Sequence, residues 1–166
     1  MDSLASWWGS KARQFRAHVR AAVAPAERSG LEAWLTGPQL ALFDRMHVAD
    51  RRHGLDVVAT LRAEGVTDLD VLLAGLLHDA GKGETGVWPR VAYSLGQALG
   101  SWAWRVAARL PGFRAALARL RDHAETSASL AAAAGCSART VELIRHQDAP
   151  IDPDAGRLLK LADEAN

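Results

Sequence analysis

Four histidines and two aspartates of this chain fall on stretches that are otherwise apolar: His53, His78, Asp79, His123, His146 and Asp163. A carboxylate buried without a partner is expensive, so six such groups on core-facing positions need a common explanation. A shared metal centre supplies one. Imidazole nitrogens and carboxylates suit a divalent transition metal, with iron or manganese first and nickel, cobalt or zinc as further choices. Neighbouring ligands on a helix diverge by about 100°. Of His78 and Asp79, one can therefore bind a single ion while the other bridges two. A pair of ions can generate hydroxide at neutral pH and clamp the oxygens of a phosphoryl group in flight.

The elements that must position these groups are helices. Ala, Leu and Arg fill the chain, and no run alternates β-branched and polar residues. A first helix is expected over about Leu4 to Ala24, ended by Pro25. A second runs from Gly37-Pro38 to about Gly65, with a break near Ala49 to Arg51. Thr67 or Asp68 caps a third through Val71 to Leu77, closed by Gly81 and Gly83. Two short helices are expected around Gly100, then others over Gly112 to Ala134, Ser137 to Gln147 and Asp154 to Ala165. The chemistry sits on their inner faces. His53 shares a face with Val57 and lies within about 80° of Leu61, whereas His47 lies about 120° from that line. His78 follows Val71 and Ala74 by seven and four residues, and Asp79 ends a run without charge. His123 is in register with Leu120 and Leu130, His146 with Leu143, and Asp163 with Leu159.

Length and composition set the frame. The 166 residues suit one core, divided as a helical extension over 1–36 and a main domain over 37–166. A formal net charge of +1 gives no reason to expect nucleic acid. The single cysteine, Cys136, excludes an internal disulfide framework and fits a reducing compartment. The least charged stretch, Val91 to Trp104, is shorter than the ~20 residues of a spanning helix. A soluble, cytoplasmic protein is the expectation. Trp7 and Trp8 with the basic residues behind them invite a membrane-surface reading. Because apolar and basic positions do not separate around the helix, packing against the domain or a second copy is preferred.

His53, the block Leu77-His78-Asp79-Ala80-Gly81-Lys82 and the block Leu161-Ala162-Asp163-Glu164-Ala165-Asn166 together resemble the H…HD…D pattern of the HD superfamily. The resemblance covers about Leu40 to Asn166. It implies an all-α, compact HD-domain bundle in which His53, His78, Asp79 and Asp163 are core metal ligands. His123 and His146 are similar to the extra histidines of the binuclear subgroup, which includes HD-GYP phosphodiesterases and dinucleoside tetraphosphate hydrolases. On that likeness Asp79 bridges two ions, one held by His53, His78 and Asp163 and the other by His123 and His146. Lys82 matches a lysine that lies near the substrate phosphate. Two departures stand out: there is no Gly-Tyr-Pro motif, and His146 is followed by Gln147 where the pattern has a second histidine.

The function this implies is hydrolysis of a phosphate ester or anhydride, with a nucleotide or small phosphorylated metabolite as substrate and metal-bound hydroxide as nucleophile. Asp79 and Lys82 are the expected catalytic residues. Two other classes fit the same residues: an HD-type dinuclear-iron oxygenase and a non-catalytic metal- or nucleotide-binding module. Dioxygen consumption would distinguish the first, and failure to bind metal the second. Glu84 reads as a loop charge, His18 and His47 as surface or packing residues, and Trp102 and Trp104 as wall-filling aromatics.

Overall fold

A computed structural model describes residues 22–83 and 113–166. The expected first helix to residue 21, and the segment 84–111 with Trp88, Trp102 and Trp104, lie outside the described residues. Among those described, all regular structure is helical and there is no strand.

The helices are α1 (Pro25–Leu31), α2 (Gly37–Arg45), α3 (Val48–Ala63), α4 (Leu69–Leu77), α5 (Phe113–Arg121), α6 (His123–Ala133), α7 (Ala138–Arg145) and α8 (Ala155–Ala165), with a 3-10 turn at Ala80–Lys82. Their ends follow local chemistry. Pro25 opens α1, because its fixed φ and missing N–H suit a first helical position. Glu27 Oε2 accepts the Ala24 N–H at 2.9 Å. The break expected near Ala49 falls earlier, at Met46, whose backbone is extended. His47 Nδ1 then accepts the Ala49 N–H at 3.2 Å and starts α3. Asp68 caps α4 by accepting the Asp70 N–H at 3.0 Å, and Ser137 caps α7 through the Thr140 N–H at 3.0 Å. The helix expected over Gly112 to Ala134 is interrupted at Asp122, where the Leu120 carbonyl is taken by the His123 ring.

Helix α4 is the centre of the bundle. Every residue from Val71 to Leu77 is buried, as expected of a helix apolar all round. It packs against α3, α7 and α8, and α6 lies across the 3-10 turn and α7. Phe43, Val57, Leu61, Leu76, Leu77, Ile144 and Leu159 form the most deeply buried part of one continuous core. Leu31 and Leu35 belong to that core, so the described part of the 1–36 extension is packed into it.

α4 and α7 run side by side in the same direction, tied at both ends. At one end the Ser137 and Thr140 hydroxyls donate to Asp70 Oδ1 at 2.6 and 2.9 Å. At the other, Gln147 Nε2 reaches the His78 carbonyl at 3.4 Å. Two glycines permit close approach. A methyl on Gly54 would lie 2.5 Å from the Leu76 carbonyl oxygen, and one on Gly81 would lie 2.5 Å from the His123 carbonyl oxygen. Gly81 N–H also donates to the buried Ser127 hydroxyl at 2.8 Å. These contacts draw α3 onto α4, and α6 onto the turn after it, where the polar groups collect.

Candidate metal centre

The C-terminal end of α4 carries His78 and Asp79 into the interior, with side chains 3% and 2% exposed. Neither could be there without partners. From α3, the first buried turn brings in His53; from α8, Asp163 arrives on the stripe that begins at Leu159. One oxygen of Asp163, Oδ1, lies 2.7 Å from His53 Nε2 and 3.2 Å from His78 Nε2. The two imidazoles meet edge to face, with ring centroids 5.2 Å apart. His53, His78 and Asp163 thus each present one ligand atom within 4.8 Å of the others.

The tautomers are set by the other ring nitrogens. His78 Nδ1–H donates to the Gly75 carbonyl at 2.9 Å, and His123 Nδ1–H to the Leu120 carbonyl at 2.7 Å. In each neutral ring the lone pair is therefore on Nε2, aimed at the cluster, the arrangement found in metal-binding histidines. His78 Nε2 and Asp79 Oδ1 are buried and make no hydrogen bond. Polar atoms left without a hydrogen bond at such depth are costly, and a cation joining them would relieve that cost. Nitrogen and oxygen donors in this set fit a divalent transition metal.

Asp79 flanks this group. Its Oδ1 is 3.5 Å from His78 Nε2 and 3.7 Å from His123 Nε2, while Oδ2 accepts from Lys82 Nζ at 2.5 Å. Burial opposes its ionisation, but His78, Lys82, His53 and His123 outweigh burial and hold its carboxyl well below the usual range. Asp163 is likewise held low, because the His53 hydrogen bond and the adjacent His78 imidazole overcome its desolvation. Burial alone would lower the His78 pKa; the charges of Asp79 and Asp163 instead push it up to about 9. Lys82 is raised despite burial by Asp79 and by Asp50.

The structure thus brings together His53, His78 and Asp163, with Asp79, Lys82 and His123 beside them. His146 is not brought in. It is the C-cap of α7, with φ −105° and ψ 22°, so it has left the helical phase that put Leu143 inward. Its Nε2 faces Glu142 Oε2 at 3.4 Å, and its ring lines a surface groove with Pro150, Ile151 and Pro153. The place expected for it is filled by Gln147, whose Nε2 is 3.0 Å from His123 Nε2.

Three contributing residues were not among the sequence candidates. Gln147 was noted only as a departure from a pattern. Asp50 is 4% exposed and sits one turn before His53, a spacing of three that would have marked it. Ser127 is fully buried against Gly81 and leaves no signal in a sequence of small residues. The side chain of Asp163 is 41% exposed, so the cluster is open to an incoming ligand on the α8 side. Comparison of the chain with protein-family models, with curated proteins and with solved structures found no match.

Proposed function

We propose that this protein is an HD-type metal-dependent phosphohydrolase acting on a phosphate ester or anhydride of a nucleotide or small phosphorylated metabolite. The observation that carries the reading is the convergence of His53, His78 and Asp163 at a point where two buried polar atoms, His78 Nε2 and Asp79 Oδ1, make no hydrogen bond. His53, His78 and Asp163 would hold the ion, with Asp79 Oδ1 adjoining. A bound divalent metal supplies a nucleophile at neutral pH and offsets charge developing on the phosphoryl oxygens.

The chain's own residues do the rest. Gly75 and Leu120 carbonyls fix the ring orientations of His78 and His123. Asp79 keeps its charge under the influence of the surrounding cations, so it remains an acceptor through the neutral range. Lys82, 24% exposed at its side chain, carries a positive charge from the buried carboxylate towards solvent and suits one oxygen of a phosphate. The half-exposed face of Asp163 is where substrate would enter.

The test pairs metal analysis with turnover of a panel of phosphomonoesters, phosphodiesters and nucleotides, on protein purified without chelators. Wild type is expected to hold a transition metal and hydrolyse at least one class. Lys82→Met should keep the metal and lose about 10²-fold in kcat/KM, the size of a lost charge contact to the phosphoryl group. Asp163→Asn should lose both. Protein that takes up no metal after reconstitution, or loaded protein that cleaves no phosphate compound in the panel, would overturn the reading.

A further inference from the structure

The two sides of Asp79 are unequally built. On one side lie His53, His78 and Asp163, with their donor atoms mutually within 4.8 Å. On the other, among the described residues, lies His123, and its Nε2 is covered. His123 Nδ1–H is committed to the Leu120 carbonyl, so Nε2 bears the lone pair. Gln147 Nε2 sits 3.0 Å from that lone pair and 3.4 Å from the His78 carbonyl. Both neighbours are acceptors, so the amide must present its NH2 to them, and the reversed amide would set oxygen against lone pair. Gln147 Oε1 is then left buried with no hydrogen-bond partner.

The carboxylate is also divided. Asp79 Oδ2 is bonded by Lys82 at 2.5 Å, which leaves Oδ1 facing the histidines. His146, the other nitrogen ligand expected here, pairs with Glu142 instead. A second ion beside His123 would therefore have to displace an amide from its imidazole. It would also strand a buried NH2 and compete with an ammonium for Asp79.

We propose that this centre takes one ion, and that Gln147 and Lys82 close the second position by capping His123 Nε2 and Asp79 Oδ2. In this arrangement His123 and Gln147 form a polar wall of the ligand space rather than half of a dinuclear site. The inference rests on the reading of His53, His78 and Asp163 as a metal centre.

The experiment is titration of the chelator-stripped full chain with manganese, read by equilibrium dialysis and electron paramagnetic resonance. Wild type should bind one equivalent with an uncoupled manganese spectrum, and any second ion at least about 100-fold more weakly, the upper end of what supporting residues impose on metal affinity. Gln147→His, which replaces the cap by a ligand, should bring in a second equivalent and an exchange-coupled pair. His146→Ala should leave stoichiometry and affinity unchanged within about twofold, since its ring is outside the cluster. Two equivalents of similar affinity in wild type, with a coupled spectrum, would overturn the proposal while leaving the metal centre standing. So would loss of an equivalent in His146→Ala. A folded Gln147→His that still binds a single ion would overturn the part assigned to the amide. No binding at all by wild type would remove the metal centre itself, and this proposal with it.

Discussion

Replacing Gly54 with alanine inserts one methyl group between α3 and the carbonyl end of α4. On an isolated helix that change is favourable by about 1 kcal/mol. Here the new carbon would lie 2.5 Å from the Leu76 carbonyl oxygen and 3.2 Å from its carbon. Close carbon–oxygen contacts settle near about 3.3 Å, so the helices must part by roughly 0.8 Å. The obstacle is backbone, and no change of rotamer relieves it. Overpacking of this kind costs about 1–3 kcal/mol, and a backbone clash belongs at the upper end. The net expectation is a loss of about 2 kcal/mol, which for a domain of this size is a fall in Tm of roughly 4–8 °C. His53 is the preceding residue and moves with the helix. Metal ligands tolerate about 0.2 Å, so affinity for the ion should drop at least about tenfold. Gly30→Ala is the matched control, because nothing lies within 4 Å of its added methyl. It should raise Tm slightly, by roughly 1–4 °C. The assay is thermal unfolding by circular dichroism on metal-free protein, followed by metal titration of the same samples. If Gly54→Ala melts at or above wild type, the close approach of α3 and α4 at the cluster is refuted.

Two further outcomes follow from the same geometry. Without an ion, His78 carries a proton up to about pH 9, against about 6.5 in the unfolded chain. That raised pKa stabilises the metal-free fold fully below about pH 6.5, and the contribution is lost as pH rises through 9. Metal uptake at pH 7.5 must expel this proton. Calorimetry in two buffers of different ionisation heat should show about one proton released per ion, with affinity rising about tenfold per pH unit up to 9; buffer-independent heats would count against the His78 assignment. Ser137→Ala removes the cap of α7 and its bond to Asp70 Oδ1. Stability should fall by about 1 kcal/mol with metal affinity unchanged, and a loss of metal in this variant would mean the two ends of α7 are coupled.

Much of the site was readable because its residues interrupt apolar periodicity. His53, His78 and Asp163 each stand on a stripe of Val and Leu, and helix phase alone turned them towards one another. His146 lies outside the cluster for a related reason. Its stripe with Leu143 is valid only while α7 remains helical, and α7 ends at Arg145. A C-cap follows its own dihedrals, and sequence locates helix ends poorly. That Pro25 opens a helix was also unread, since a proline can mark the start of an element as well as the end of one. The break at Met46 carries no Gly or Pro, and it depends on the His47 ring bonding back to the main chain. Asp50 was hidden by placing that break too late. The close contact at Gly81 depends on which backbone lies opposite, information that only tertiary packing contains.

His53 and Asp163 are 110 positions apart in the chain, yet they share the shortest polar contact between the cluster's ligand atoms. Pairings of such separation are among the slowest to form, because a long loop must close before any contact rewards it. The cluster cannot be assembled from a local fragment: α3 and α4 can meet early, but the third donor arrives only when α8 docks. Rapid-mixing refolding in the presence of a spectroscopically active ion would therefore show metal capture trailing helix formation, at the rate of that final docking. A bound ion would in turn cross-link the first and last of these helices, so that departure of α8 becomes the step that limits both metal release and unfolding.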